Sequence, residues 1–357
     1  MTKEQSFAIS RRSLLTGAGG VGLGALLATG LTSCGTNDSA SGGKGTKNFT
    51  LILDVSPYGK HAPFYVALEK GYWSDRGLNI DIQAAKGSAD AVTKVASKAG
   101  HFALADTSAV MLARGNSGLA TREVCMYHYK NLMSIMSLED NGIEAPEDIV
   151  GKTMHIIPGE GTYLMLPALA AANDFDESQV KTVTGEITSL VQAVISGQVD
   201  GALTYFTLFP ALEAAAAAAG KKATYLLYAD HGVDIYNNGI VVADEFADAN
   251  PDTVKAFCAG FVEGVLDAVD DPEGATEIFV KAVPGTDRAV ARAQLQVAID
   301  HLNEPEVLDV GFGPMDEKKM QGTVDLVNEY FTLEEPITDP LLVYSNKFVE
   351  KGEIPQL

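Results

Sequence analysis

The stretch FTLILDVSPYGKHAPFYVALEKGYWSDRGLNIDIQA occupies residues 49–84 and alternates short apolar runs with a segment of helical period. The pattern predicts a strand over Phe49–Val55, a helix from about Pro63 to Trp73 and a second strand over Asn79–Ala84. A strand, a helix and a strand in this order are typical of a βαβ unit, so we expect an α/β fold with a parallel sheet.

The same alternation continues in two sets, which predict two α/β lobes. The first set is expected to comprise residues 48–130 and 236–357, and the second residues 131–235. Apolar segments at residues 124–138 and 239–243 are interpreted as strands that cross between the lobes. The remaining periodic segments predict helices, at Pro251–Val269, Glu273–Ala282, Asp287–His301 and Glu317–Phe331.

Composition excludes several classes of protein. The chain has 357 residues, of which 46% are hydrophobic, and a formal net charge of -21. A nucleic-acid-binding protein needs a positive surface, so we expect no nucleic-acid partner. No second long apolar run follows the N-terminus, which argues against a polytopic membrane protein. Three cysteines are too few for a disulfide scaffold, and Cys125 and Cys258 are interpreted as small buried hydrophobic residues.

The first 33 residues have the layout of an export signal. Arg11 and Arg12 precede an apolar run, as in a twin-arginine signal, although a Sec signal is also compatible. The run ends at Leu31-Thr32-Ser33-Cys34, which looks like a bacterial lipobox, so Cys34 is predicted to be lipidated. Residues 34–47 then form a flexible tether to the cell membrane. The alternative is a transmembrane anchor with an incidental cysteine.

Candidate ligand-binding residues lie beyond the predicted strands and at the crossings. In open α/β sheets the carboxyl ends of strands carry the ligand site. The candidates are Tyr58, Lys60, His61, Phe64, Ser88, Asp106, Thr107, Tyr127, Thr162, Tyr163, Tyr205 and Asn237. Helix capping is the alternative role for Asp106, and packing is the alternative for the aromatic residues.

Motifs of known enzymes are absent from the sequence. We find no nucleophile elbow, no Walker-type phosphate loop and no His-Glu-x-x-His, and the six histidines lack metal-ligand spacing. We therefore expect no catalytic residue, no metal and no cofactor.

The segments His61–Trp73 and Gly77–Ile80 resemble a family of transport proteins. With residues 102–106, 146–153, 196–202 and 313–316, they are similar to the ABC-transporter solute-binding proteins of the nitrate, sulfonate, taurine and thiamine-precursor (NMT-type) group. The resemblance implies a periplasmic-binding-protein type II fold, in which two lobes joined by two crossing strands close on a small molecule. It also implies partners, namely an ABC permease and its ATPase, for a monomeric binding protein.

Two ligand classes remain open at this point. Tyrosines with Asn237 favour a small heteroaromatic compound, such as a thiamine pyrimidine precursor or a flavin-like molecule. Lys60 is the main cation among the candidate residues, and it favours a small organic anion such as a sulfonate, taurine or nitrate. A third interpretation, from another class, is an extracytoplasmic enzyme acting on a heterocycle. The related pyrimidine synthases carry a cysteine-rich cluster, and its absence from this chain argues against the enzyme interpretation.

Overall fold

The computed structural model describes residues 46–302 and 304–352. The predicted signal peptide, Cys34 and nearly all of the predicted tether lie outside the described residues. Lys47, the last residue assigned to that tether, already belongs to the first strand.

The described residues form ten strands. In chain order they are Lys47–Leu53 (β1), Leu78–Ala84 (β2), Phe102–Asp106 (β3), Thr121–Met126 (β4), Met133–Leu138 (β5), Thr153–Ile156 (β6), Lys181–Thr184 (β7), Gly201–Tyr205 (β8), Ala223–Leu227 (β9) and Asn238–Ala243 (β10). The first sheet has the order β2-β1-β3-β10-β4, and the second has the order β7-β6-β8-β5-β9.

Helices cover the sheets. In chain order they are Ala62–Glu69 (α1), Ser88–Ala96 (α2), Thr107–Ser117 (α3), Gly161–Leu164 (α4), Leu166–Ala172 (α5), Ile187–Ile195 (α6), Phe209–Ala218 (α7), Asp244–Ala249 (α8), Pro251–Asp270 (α9), Pro272–Ala282 (α10), Arg288–Asp300 (α11), Pro305–Val310 (α12) and Glu317–Tyr330 (α13). The first helix is shorter than predicted, because Gly71 takes a left-handed φ of 81° soon after its end. No helix among the described residues is long and apolar enough to cross a membrane.

Both sheets are mixed, so the predicted parallel pairing holds for only part of each sheet. β1 runs parallel to β2 and β3, but β10 runs antiparallel to β3 and β4. The second sheet repeats this arrangement, with β5 antiparallel to β8 and β9. The reason is that β5 and β10 each enter from the other sheet. Such a strand starts at the edge where the parallel strands end, and it therefore runs in the opposite direction.

Two segments, residues 127–132 and 228–237, connect the two sheets. We call the parts built on the first and second sheets lobe 1 and lobe 2. The domain boundaries at residues 130/131 and 235/236 fall in or next to these segments, and they stay a prediction.

Lobe 1 contains the largest apolar core. The ring of Phe64 stacks on Phe261 with centroids 4.8 Å apart, and Trp73 stacks on Phe257 at 5.0 Å. The Trp73 indole N–H also donates to the backbone oxygen of Phe257 at 2.9 Å. These contacts fix α1 against α9 and so hold the loop before α1, residues 54–61, in place.

Candidate functional site

Buried polar residues collect where the ends of parallel strands from both lobes meet. Asp54 follows β1 and Asp106 ends β3 in lobe 1, whereas Glu160 follows β6 and Tyr205 ends β8 in lobe 2. Each of these four is at most 1% exposed. Because parallel strands in a sheet end at the same edge, two facing lobes bring these side chains into one cleft.

Asp54 organises the lobe 1 side of this cleft. Its Oδ2 atom lies 2.6 Å from Lys60 Nζ, and its Oδ1 atom lies 2.8 Å from His61 Nε2. Burial alone would raise the pKa of Asp54, but Lys60 and His61 lower it well below its usual range, so the carboxyl is ionised. The cleft therefore contains a buried ion pair between Asp54 and Lys60.

Both ring nitrogens of His61 are used within the protein. Nδ1 accepts the backbone N–H of Tyr58 at 3.1 Å, so Nε2 is the nitrogen that donates to Asp54. Burial lowers the pKa of His61, which keeps the ring neutral. His61 is one of the candidate ligand-binding residues, and in the structure both of its ring nitrogens are engaged within the protein, with Nε2 orienting the Asp54 carboxyl.

Lys60 is also buried, and its ammonium group contacts only protein atoms among the described residues. Its Nζ atom donates to Asn238 Oδ1 at 3.2 Å and lies 4.4 Å from the ring centroid of Tyr205 and 5.4 Å from that of Tyr58. Burial would lower the pKa of Lys60, but Asp54 raises it above its usual value, so the ammonium is charged. Its charge is balanced by Asp54 and shielded by two aromatic faces.

Asp106 links the two lobes. Its Oδ2 atom accepts Ser88 Oγ at 2.6 Å and the hydroxyl of Tyr205, and its Oδ1 atom accepts the amides of Asn237 and Asn238 at 3.0 and 3.2 Å. Burial raises the pKa of Asp106 to about 6, although the hydrogen bonds from Ser88 and Tyr205 lower it. Four protein donors occupy its oxygens, and the one from Tyr205 joins the two lobes.

Three further contacts cross between the lobes. The hydroxyls of Tyr58 and Thr207 lie 2.8 Å apart, and the Ala89 N–H donates to the Gly159 oxygen at 2.9 Å. At Gly87, where φ is 116°, a Cβ atom would lie 2.6 Å from that same oxygen. The lobes therefore touch directly, and glycine at this position permits the close approach.

Four buried polar atoms of this region have no hydrogen-bond partner among the described residues. They are His128 Nε2, Glu160 Oε2, Thr162 Oγ1 and Asn237 Oδ1. Unpaired buried polar atoms are costly, so these four are the groups with capacity left for a ligand. Burial, followed by the charge of Lys60, holds the pKa of His128 well below its usual value, so its ring is neutral.

The structure brings most of the predicted site residues to the cleft. Tyr58, Lys60, His61, Ser88, Asp106, Tyr205 and Asn237 form the connected cluster described above. Tyr127 borders it, because its hydroxyl donates to the Lys60 backbone oxygen at 2.8 Å and its ring stacks on His128 at 3.9 Å. Thr162 is buried, and its backbone oxygen accepts the hydroxyl of Tyr228.

The other three predicted residues differ in position. Phe64 is in the apolar core. Thr107 borders the cluster, because its hydroxyl donates to Glu123 at 2.8 Å and its backbone N–H donates to the Asn237 oxygen at 2.9 Å. Tyr163 borders a groove of about 460 Å³ on lobe 2 with Leu166, Pro167 and neighbouring residues. Its side chain is therefore not part of the buried cluster.

The candidate residues from the sequence do not include Asp54, His128, Glu160 or Asn238. Asp54 falls within the predicted strand Phe49–Val55, and His128 and Asn238 lie at the predicted crossings between the lobes, next to the candidates Tyr127 and Asn237. The signal for Glu160 was available, since it is a carboxylate between Gly159 and Gly161 directly after a strand.

Comparison with known proteins assigns the family. The family described as NMT1/THI5 like matches residues 59–275. The chain belongs to this family. The formylaminopyrimidine-binding protein of Halalkalibacterium halodurans is 25% identical over 316 residues, which cover 86% of this chain and 92% of that protein. The riboflavin-binding protein RibY of Chloroflexus aurantiacus is 25% identical over 313 residues, which cover 85% of this chain and 86% of that protein.

A solved structure confirms the predicted fold of this NMT1/THI5-like protein. The alkanesulfonate-binding protein SsuA from Xanthomonas axonopodis pv. citri, bound to MOPS, superposes with a TM-score of 0.65 at 13% sequence identity. The match covers 84% of this chain and 98% of that chain. The protein thus has the periplasmic-binding-protein fold of two α/β lobes.

Proposed function

We propose that this protein captures a small neutral heteroaromatic compound between its lobes and delivers it to an ABC importer. The observation that carries the proposal is the ion pair of Lys60 with Asp54, at 2.6 Å and 1% exposure of both side chains. This pair removes the positive charge that an anionic ligand would need.

The charges around Lys60 disfavour an anion. Besides Asp54, the carboxyls of Asp106 and Glu160 interact with Lys60, and no second cation is hydrogen-bonded in the cluster of described residues. A sulfonate or nitrate placed here would meet more acidic groups than basic ones. Like charges in a water-poor cleft repel strongly, so the anion is the weaker of the two ligand classes.

Aromatic rings and hydrogen-bonding atoms favour a heterocycle. The rings of Tyr58, Tyr205 and the stacked pair Tyr127 and His128 surround the cleft. The unpaired Asn237 oxygen accepts an N–H group. The names of the two relatives, one binding formylaminopyrimidine and one binding riboflavin, support the same class.

Capture is proposed to occur without covalent chemistry. A nucleophile–base pair needs a hydroxyl or thiol bonded to the base. Both nitrogens of His61 are engaged elsewhere, and His128 Nε2 has no bonded partner among the described residues. Among residues 46–302 and 304–352, no group of three or more His, Cys, Asp or Glu side chains is arranged to hold a metal ion. The relatives are solute-binding proteins, and this also supports a role in binding. Recovery of every bound compound unchanged would agree with this role, whereas its conversion would favour the enzyme alternative.

The site of action is proposed to be the outer face of the cell membrane. The lipobox predicts a lipid anchor on Cys34, reached through a twin-arginine or Sec signal, and the acidic body is proposed to act as a monomer that docks on a permease. Cells labelled with a radioactive fatty acid test the anchor. Wild-type protein should carry the label, and Cys34→Ala protein should be unlabelled and leave the membrane fraction. Label on the Cys34→Ala variant would contradict the assignment.

A thermal-shift screen tests the ligand class. The panel contains thiamine, pyrimidine precursors of thiamine, riboflavin, nucleobases, taurine, alkanesulfonates and nitrate. A ligand at one hundred times its Kd adds about 2.7 kcal/mol to the free energy of unfolding, which raises Tm by several degrees. Shifts with heterocycles alone are the expected result. Shifts with anions alone would overturn the heteroaromatic assignment and leave the transport role in place.

A further inference from the structure

Glu160 is held rigidly at the lobe 2 side of the cleft. Its backbone N–H donates to Ile157 at 2.9 Å, and its backbone oxygen accepts the N–H groups of Tyr163 and Leu164. Its side chain is fully buried, and Oε1 accepts the hydroxyl of Thr204 at 2.9 Å. Oε2 has no partner among the described residues. Oε1 is thus fixed by a hydrogen bond, and Oε2 is available to a ligand.

The surroundings of Glu160 do not suit a carboxylate ion. The ionisable groups that interact with it are Asp54, Asp106 and Lys60, together with the phenols Tyr58, Tyr205 and Tyr228. Lys60 is already paired with Asp54, and within the described part of the chain Thr204 is the only donor bonded to the Glu160 side chain. Buried carboxylates normally need several donors or a free cation.

The titration of Glu160 agrees with this geometry. Burial raises the pKa of Glu160 well above its usual value, and neither Thr204 nor Lys60 offsets that effect. When the lobes separate, water reaches the carboxyl and the pKa returns toward its ordinary range of about 4.3. Closure of the cleft therefore favours the protonated form.

We propose that Glu160 binds the ligand as a neutral carboxylic acid, with its Oε2–H donating to a ring nitrogen or carbonyl oxygen of the heterocycle. This inference rests on the proposed function. Asn237 donates to Asp106 through its amide nitrogen, and its unpartnered Oδ1 accepts an N–H of the ligand. The selected ligands thus carry both a hydrogen-bond acceptor and an N–H donor. An anion could accept the same Oε2–H bond, so discrimination against anions comes from the pairing of Lys60 with Asp54 and not from Glu160.

Glu160 acts as a specificity-determining residue, and its carboxyl takes up a proton when the ligand binds. Near pH 7 the carboxyl is ionised in the open protein and protonated in the closed complex, so binding consumes about one proton. Between the ordinary pKa of the open protein and the raised pKa of the closed complex, this uptake makes affinity fall by up to about tenfold per pH unit, and above the raised pKa affinity levels off. Glu160→Gln keeps an N–H donor in the same position but cannot titrate.

The test is calorimetric titration of the processed, detergent-solubilised protein with riboflavin and with 4-amino-5-hydroxymethyl-2-methylpyrimidine. Each titration is run in two buffers of different ionisation enthalpy, which yields the number of protons taken up. Wild type, Glu160→Gln and Glu160→Ala are compared between about pH 6 and pH 9. Glu123→Gln serves as the matched control, because Glu123 is equally buried but is bonded to Thr107 in lobe 1.

We expect Glu160→Gln to bind at least as tightly as wild type at pH 7, without proton uptake and with a flat pH profile, because the amide donor needs no proton. Glu160→Ala should weaken binding by at least about tenfold, and Glu123→Gln should keep the proton uptake of wild type. Unchanged affinity and proton uptake in Glu160→Ala would overturn the inference. Equal losses in Glu160→Gln and Glu160→Ala would show that the ionised form binds, which also overturns it. Failure of wild type to bind either heterocycle would instead refute the proposed ligand class.

Discussion

Replacing Gly161 with alanine should block closure of the cleft without harming lobe 2. A Cβ atom at this position would lie 2.5 Å from Cγ of Asp106, which belongs to lobe 1, and 2.8 Å from Cε of Met133. The Met133 methyl is the end of a flexible side chain and moves at little cost. Asp106 cannot move, because four hydrogen bonds hold its carboxyl.

The cost of the substitution follows from this geometry. Ordinary carbon–carbon contacts are about 3.5–4.0 Å, so the lobes must separate by about 1 Å at this point. Overpacking of this kind costs about 1–3 kcal/mol, and weakening the bond from Tyr205 to Asp106 adds about 1 kcal/mol or more. The closed state should lose about 2–4 kcal/mol, which corresponds to a rise in Kd of about 30-fold to about 700-fold.

The assay is calorimetric titration with the best ligand from the thermal-shift panel, combined with small-angle scattering. The Gly161→Ala variant should bind the ligand weakly and should not contract when ligand is added. Its Tm without ligand should be no more than a few degrees below that of wild type. Gly322→Ala is the control, because a Cβ atom at this helical position meets nothing within 4 Å. A Kd for Gly161→Ala within threefold of wild type would refute the idea that the bound state contains the contact between Gly161 and Asp106.

Three further outcomes follow from the same cluster. Asp54→Asn leaves the Lys60 ammonium buried without a counter-charge, so urea unfolding should show a loss of about 3–5 kcal/mol, against about 0.5 kcal/mol or less for the exposed Asp75→Asn. The pKa of Asp106 is raised to about 6 in the folded protein, so its contribution to stability is present below about pH 4 and is lost as the pH rises through 6. Melting curves of Asp106→Asn measured against pH should lack this decline in stability. A decline equal to that of wild type would contradict the assignment. Tyr163→Ala alters the lobe 2 groove and should leave the Kd for the ligand within threefold of wild type. A tenfold weaker affinity would show that this groove takes part in ligand binding.

The local pattern of the sequence was enough to predict the elements and their order. Apolar runs and helical periods marked β1, α1 and β2 to within a few residues, because these elements depend on side-chain periodicity along one segment. The positions of Asp106 and Tyr205 at the cleft were predictable for a related reason: each ends a buried strand, and strand ends in α/β sheets meet at one edge.

The direction of β5 and β10 was not predictable from the same pattern. A buried strand shows the same apolar run whether it lies parallel or antiparallel to its neighbours. Similarly, Thr162 and Tyr163 occupy one turn of α4, and only the placement of that turn decides which of them faces the cleft and which faces the outer groove.

The sequence by itself determined the two-lobed α/β class, the acidic character and the location of the cleft, because these depend on composition and on periodicity within short segments. Only the tertiary structure decided the chemistry of the cleft. Lys60 is a candidate anion-binding residue in the sequence, and it becomes a neutralised structural cation when Asp54 and the distant Asn238 fold against it. Glu160 gains its significance in the same way, since the protonation state of a carboxyl depends on the charges around it in space, and those charges come from residues far apart in the chain.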